Sequence, residues 1–192
     1  LSGYNLMNIG TGITMQSSTR YSFKSMGAAL PSGAVAYINV TMAAEHGCAL
    51  GQSGEVVCWG HNAFGEVGAG VTTSYMMPTL IDIGGAAKMV NCFSYVCCAI
   101  IKDLYAVRCW GRAFNGRLGT GIFDVGKTAQ SMGSNLQSVN LGASSLVMDV
   151  NVGGEQTCVL LSNNFVKCWG KLGSNIVGDA SAADLMNMLP NV

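Results

Sequence analysis

The sequence predicts an all-β chain of propeller-type repeats, and three observations carry that prediction. The tripeptide Cys-Trp-Gly occurs three times, at Cys58-Trp59-Gly60, Cys109-Trp110-Gly111 and Cys168-Trp169-Gly170, and takes up all 3 tryptophans of the chain. From 58 to 109 is 51 residues and from 109 to 168 is 59, a period that belongs to propeller blades and related arrays. No apolar pattern at helical spacing is sustained along the chain, which a helical solenoid of similar period would need.

Each repeat reads as a hairpin followed by a glycine-rich tail. Residues 47 to 51 and 55 to 59 are short apolar runs around Gln52-Ser53-Gly54, a three-residue loop whose last position favours a left-handed backbone. The third repeat has Ser162-Asn163-Asn164 there, and asparagine is the next best residue for that conformation. Counting outward from Ser53 sets Cys48 opposite Cys58, and counting from Asn163 sets Cys158 opposite Cys168. The second hairpin is one residue longer. Its even count predicts a two-residue loop at Asp103-Leu104 and sets Cys98 opposite Cys109.

The tail from Gly60 to Gly70 matches that from Gly111 to Gly121, with a degraded copy from Gly170 to Gly178 and a partial one from Gly3 to Gly12, where Ser2 stands in the tryptophan position. Closely spaced glycines make these tails tight turns. A methionine element recurs after them, at Met26-Gly27-Ala-Ala-Leu30-Pro31, Met77-Pro78-Thr-Leu80, Met132-Gly133-Ser-Asn-Leu136 and Met186-Asn-Met-Leu189-Pro190, and its recurrence predicts blade-to-blade packing. The chain divides accordingly into the tail of a preceding blade (1–30) and three repeats (31–85, 86–142 and 143–192) within one repeat domain.

Of 8 cysteines, six fall into the three hairpin pairs. Cys92 and Cys97 remain. They pair with each other, or Cys97 competes with Cys98 for Cys109; the sequence leaves both open. A zinc site is not expected, because the hairpin pairs lie far apart along the chain rather than in short knuckles. Disulfides once per structural unit imply an oxidising compartment, hence an extracellular or cell-surface protein. Asn39-Val-Thr41 is a glycan acceptor sequence.

At these residues the sequence resembles the regulator-of-chromosome-condensation repeat family. Its blades read as a His/Thr-Cys-Ala-Leu strand, a glycine turn, a Val-x-Cys-Trp-Gly strand and then Asn-x-x-Gly-Gln-Leu-Gly-x-Gly. His46-Gly-Cys48-Ala-Leu50 through Gly70 is the nearest copy, and the likeness runs from Gly3 to Pro190. The cysteines are similar to those of the secreted or cell-surface branch. The resemblance implies a seven-bladed propeller of four-stranded antiparallel blades. Seven blades at this period need roughly 350 to 400 residues, so the chain is expected to form about three and a half blades of such a ring. It would then be a fragment, an open arc, or one of two chains closing a ring together.

Composition bounds the function. Charged residues are 10% of the chain, and 10 basic residues balance 10 acidic ones. Nucleic-acid binding is not expected without clustered Lys and Arg, and membrane insertion is not expected without an apolar run of roughly 18 to 20 residues. The two histidines suggest no catalytic constellation: His46 fits a packed, hydrogen-bonded structural position and His61 a surface turn. Asp82, Asp124, Asp149, Asp179 and Asp184 are scattered over different repeats. The glycine tails lack the Gly-Lys-Ser/Thr of a phosphate loop. No enzyme activity, cofactor or metal is expected. Trp59, Trp110 and Trp169 read as blade core rather than as a ligand ring. The expected function is a non-enzymatic extracellular structural or adhesive module that packs with copies of itself or adjoining blades into a surface assembly or filament. A secreted or ectodomain protein-binding module is the second reading, and guanine-nucleotide exchange, for which the family is named, the third.

Overall fold

The structure, a computed structural model, describes residues 14–16, 20–22, 36–121, 123–142, 146–172 and 174–177. The partial repeat at 3–12 and the methionine elements at 26–31 and 186–190 lie outside the described residues. Strands β1 (Thr14–Gln16) and β2 (Arg20–Ser22) form a two-stranded pair. β3 (Tyr37–Met42), β4 (His46–Gly51), β5 (Val56–His61) and β6 (Tyr75–Ile81) form a four-stranded sheet in chain order. β7 (Ala87–Phe93), β8 (Val96–Ile101) and β9 (Ala106–Gly111) form a three-stranded sheet, and β10 (Val147–Val152), β11 (Gln156–Leu161), β12 (Val166–Leu172) and β13 (Asn175–Val177) a second four-stranded one. Every pairing is antiparallel between consecutive strands. These are meander blades of a partial propeller.

The hairpin registers set Cys48 opposite Cys58, Cys98 opposite Cys109 and Cys158 opposite Cys168. Gly54 has φ 97° and Asn164 φ 67° at the ends of their loops. The second loop differs from expectation: pairing stops at Ile101 with Ala106, so residues 102–105 form a four-residue turn. A two-residue hairpin turn of the favoured twist needs positive φ at both central positions or glycine at the first, and Asp103-Leu104 suits neither. The chain instead closes an Ile101 O to Tyr105 N bond of 2.8 Å, with the single left-handed residue at Tyr105, φ 49°.

Among the described residues after β9, the second blade has no counterpart of β6. The stretch holding Gly126, Ser131, Gly133, Ser134 and Asn135 folds into 3-10 turns at Ala129–Ser131 and Gly133–Asn135. It touches β9 through isolated bridges, Gly111 with Val125 and Arg108 with Ser138. Its residues favour turns, whereas Tyr75 to Ile81 is mostly apolar and extended.

The core lies between blades. β8 is buried throughout, and with side chains alternating across a strand it serves two seams. Cys97, Ala99 and Ile101 join Leu50, Val56, Val67 and Ile81 in the first. Val96, Cys98 and Ile100 join Leu118, Val150, Val159 and Leu161 in the second. First strands of successive blades adjoin: Cys92 N donates to Thr41 Oγ1 at 2.9 Å and Val152 N to Asn91 Oδ1 at 3.1 Å. This makes β3, β7 and β10 the inner strands and β6 a rim strand.

The tryptophans lock the seams. Trp110 Nε1 donates to the backbone carbonyl of Glu66 in the preceding blade at 3.0 Å, and Trp169 Nε1 to that of Arg117 at 2.9 Å. Both acceptors lie in equivalent tail segments, Glu66-Val67-Gly68 and Arg117-Leu118-Gly119. Gly119 has φ 71°, and a Cβ there would stand 2.8 Å from Trp169 Nε1; the glycine is required by both backbone and indole. The methionine elements behave differently from one another. Met132 and Leu136 are buried in the first seam, but Met77 and Leu80 face solvent, because in the first repeat the element is part of the rim strand β6.

Trp110→Phe should lower stability by about 1–3 kcal/mol, since the buried Glu66 carbonyl loses its indole donor. Trp169→Phe should cost less, because the Thr157 hydroxyl, 3.0 Å away, still donates to the Arg117 carbonyl. Urea denaturation of the two variants compares them directly, and Gly119→Ala should be destabilised along with them.

Candidate functional site

One end of the blades gathers aromatic rings around a single guanidinium. Arg112 leaves β9 with its N–H bonded to Tyr95 O in the β7–β8 turn at 2.9 Å. Its guanidinium carbon lies 4.4 Å from the ring centre of Phe64, 5.2 Å from that of Phe114 and 5.6 Å from that of Tyr95. Ring faces are electron-rich, and each such contact contributes about 0.5–1 kcal/mol at exposed sites. Phe114 also lies 5.7 Å from the Arg117 guanidinium and is 53% exposed, while Tyr75 beside the group is 50% exposed.

A buried carboxylate anchors this end. Glu66, fully buried, accepts from Phe64 N at 2.8 Å through Oε2 and meets His61 Nδ1 at 2.7 Å through Oε1. The His61 ring is thereby turned against Tyr75 and Tyr95, with ring centres 5.6 and 6.1 Å away. Expected in a surface turn, His61 instead closes β5 and is only partly exposed, because Glu66 holds it. Arg117 ties the second blade to the third: Nε donates to Phe114 O at 2.8 Å and Nη1 to Gly154 O at 3.0 Å and Ser94 Oγ at 3.3 Å. Burial, and then the neighbouring Arg112 charge, pull the Arg117 pKa down from its usual value. The arrangement offers a rigid surface of half-exposed rings and cationic edges, suited to binding.

Arg112, Phe64, Tyr95, Phe114 and Glu66 were not among the residues the sequence singled out. A signal exists: Ala63-Phe64 and Ala113-Phe114 recur two and three residues before the tail carbonyls at 66 and 117. An aromatic repeated in a polar turn marks a shared surface position.

Cys48–Cys58, Cys98–Cys109 and Cys158–Cys168 form disulfides across their hairpins, and Cys92–Cys97 a fourth across the β7–β8 turn. The alternatives left open for Cys97 are resolved by register. Cys97 stands opposite Cys92 and faces the first seam, whereas Cys98 stands opposite Cys109 and faces the second. Trp59, Trp110 and Trp169 are buried. Asn39 is exposed on the inner strand β3, and the Thr41 hydroxyl of the same acceptor sequence bonds to the Cys92 backbone.

Residues 40–66 match the model of the regulator of chromosome condensation (RCC1) repeat. That stretch is an RCC1-type repeat. The ultraviolet-B receptor UVR8 of Arabidopsis thaliana is 30% identical over 147 residues, which cover 74% of this chain and 32% of UVR8. The human E3 ubiquitin-protein ligase HERC2 is 26% identical over 136 residues, 69% of this chain and 3% of HERC2. The chain thus spans about a third or less of the curated relatives it matches. Among solved structures, human WBSCR16 superposes with a TM-score of 0.61 at 20% identity, covering 80% of this chain and 38% of the other. Yeast RCC1 (Prp20), bound to Kap60, superposes with 0.57 at 17% identity, covering 84% and 34%. At these identities the structures show the fold: an RCC1-like propeller module.

His46 opens β4, within the matched stretch 40–66, and the structure corrects one expectation for it. It is buried, as expected, but neither ring nitrogen makes a hydrogen bond of normal geometry. The loss of hydration on burial, and secondarily the nearby His61, push its pKa down to about 4, against a small opposing pull from the Val96 backbone. The imidazole is therefore neutral at pH 7. In the unfolded chain it protonates near its ordinary value, so its contribution to stability is complete above about pH 6.5 and is lost as pH falls toward 4. The loss is on the order of 3 kcal/mol. An NMR titration should find the His46 ring unprotonated at pH 5.5, and His46→Gln should flatten the fall in urea midpoint between pH 6.5 and 4.

Proposed function

We propose that this RCC1-repeat chain is a non-enzymatic protein-binding module of the extracellular space or cell surface, and that it engages its partner through the Arg112 face. The observation that carries the reading is the guanidinium held among Phe64, Tyr95 and Phe114, beside half-exposed Phe114 and Tyr75. Aromatic residues and arginine supply most of the energy at protein interfaces. Here their side chains are already fixed by Glu66 and by ring contacts, so less conformational freedom is lost on binding. Relatives of the same fold support a protein partner: yeast RCC1 (Prp20) is seen bound to Kap60, and Prp20p has binding properties toward Gsp1p and histones. Four disulfides support an oxidising environment.

Self-assembly is the second reading, favoured by a different observation. Ile38 on the inner strand β3 is 62% exposed, and Met77 and Leu80 on the rim strand β6 are exposed as well. Copies of the chain, or adjoining blades, would cover these apolar residues in a surface assembly or filament. A glycan on Asn39 would then stand beside Ile38 and oppose contact at that strand.

Arg112→Ala with Phe114→Ala should weaken capture of the protein partner by tenfold or more, hot-spot residues contributing about 2 kcal/mol or more each, while leaving the urea midpoint nearly unchanged. Photocrosslinking from position 114 in secreted protein identifies the partner for that measurement. Unchanged capture by the double variant would exclude this face. Light scattering of native and Ile38→Ser protein separates the second reading: a monomer in both cases leaves no role for self-assembly.

A further inference from the structure

We infer that the first seam becomes a zinc site when its two disulfides are reduced, with His46, Cys48, Cys92 and Cys97 as ligands. The ligand atoms of His46, Cys92 and Cys97 lie within 4.8 Å of one another, and all three residues are buried. Cys48 Sγ lies 3.6 Å from Cys97 Sγ across the seam. Zn–S bonds of ~2.3 Å in a tetrahedron put neighbouring sulfurs about 3.8 Å apart, so this pair already has nearly the required spacing. The sequence argued against zinc because the hairpin pairs lie far apart along the chain. That spacing does not show that blades one and two press β4 against the β7–β8 turn, and Cys92-x4-Cys97 is itself a knuckle at the long end of the usual range.

The second observation is independent of the sulfurs. His46 is buried, and apart from a weak approach to the Val96 backbone neither ring nitrogen makes a hydrogen bond of normal geometry. A buried imidazole without a partner is costly to keep unless something else uses its lone pair, and a neutral imidazole nitrogen is a zinc ligand. The other hairpins supply internal controls. Two positions before the first cysteine, where the first repeat has His46, the second has Val96 and the third Gln156. The extra cysteine pair also occurs only beside His46. The donor set is thus assembled in one seam, from one strand of the first blade, β4, and two of the second, β7 and β8.

In the oxidised chain the sulfurs are bonded to each other and offer no thiolate. A dithiol reductant supplies two electrons and two protons to each disulfide, Cys48–Cys58 and Cys92–Cys97, and leaves as its own disulfide. Zn²⁺ then displaces one proton each from Cys48, Cys92 and Cys97 and takes the lone pair of neutral His46, which loses no proton. The product carries one net negative charge at the metal, and Cys58 remains a thiol. The bound ion would hold the two blades together at the place where the oxidised chain has a disulfide in each. The oxidised form is the one to which the extracellular reading applies; the zinc form belongs to the chain before its disulfides close, or to a reducing compartment.

The test uses the full chain, reduced anaerobically with a phosphine that leaves as its oxide, and titrated with zinc against a chromophoric chelator and with cobalt for its spectrum. One ion per reduced chain is expected, with thiolate charge-transfer bands and the visible bands of tetrahedral cobalt. The oxidised chain should bind none at the same concentrations. Cys92→Ser with Cys97→Ser should abolish binding, and His46→Asn should weaken it at least tenfold and alter the cobalt spectrum. Cys158→Ser with Cys168→Ser should leave affinity and spectrum unchanged. Absence of zinc uptake by the reduced chain overturns the inference. So does equal loss on removing either cysteine pair, which is what an unfolded chain binding through any of its thiols would give. A His46→Asn variant with unchanged affinity and spectrum also overturns the donor set.

Discussion

The blades depend on a hydrogen bond that crosses from one to the next. The indole N–H of Trp110 reaches the Glu66 carbonyl, and that of Trp169 the Arg117 carbonyl. A blade of short strands has few contacts of its own and must bury both faces against neighbours. The indole supplies a large apolar surface and one polar group that has to be satisfied when buried. Matching it to a carbonyl in a glycine-bounded tail fixes how far one blade lies from the next. The positive φ at Gly68 and Gly119 turns the tail so that the carbonyl is offered and no Cβ intervenes.

The other features of the interior follow from that spacing. A strand sandwiched between two seams can carry no exposed polar face, so β8 reads Val-Cys-Cys-Ala-Ile-Ile without alternation in polarity and still sends alternate side chains to different clusters. Consecutive Cys97 and Cys98 are possible for the same reason: they face opposite seams and form different disulfides. The low charge content belongs here too. Much of each blade is seam, and a charge in a seam needs a partner to offset the loss of water. Glu66 and Arg117 are exceptions, both buried yet bonded, Glu66 at both carboxylate oxygens and Arg117 to the Phe114 and Gly154 carbonyls.

The hairpin registers and the blade scheme were legible in the sequence because both are local. A three-residue loop with Gly54 or Asn164 at its end fixes which cysteines face each other, and one hairpin needs no knowledge of the next. The second loop was misread because an even count alone says nothing about backbone strain; Leu104 in a two-residue turn was the warning, and the chain put its left-handed residue at Tyr105 instead. The methionine element was legible as a repeat but not as a contact, since its surroundings depend on whether the tail continues into a rim strand, as at Met77, or into 3-10 turns, as at Met132. The Arg112 face and the His46 sulfur cluster were not legible for a different reason. Their members come from neighbouring blades, Phe64 with Tyr95 and Phe114 in one case and His46 with Cys97 in the other, and only the seam distance brings them together.

That division between seam and surface also explains how such a repeat can change what it binds without changing its fold. Positions 66 and 117 are equivalent in the two tails, and both give a backbone carbonyl to the next tryptophan. Their side chains carry opposite charges: Glu66 holds His61, and Arg117 holds Gly154 and Ser94. A backbone acceptor is present whatever residue occupies the position, so the indole bond itself places no demand on the side chain. Phe64 and Phe114 sit two and three residues before these carbonyls, close enough for the locked tail to fix their rings. The contact that determines blade spacing therefore also makes the end face rigid, and leaves the chemistry of that face to side chains on which the indole bond does not depend.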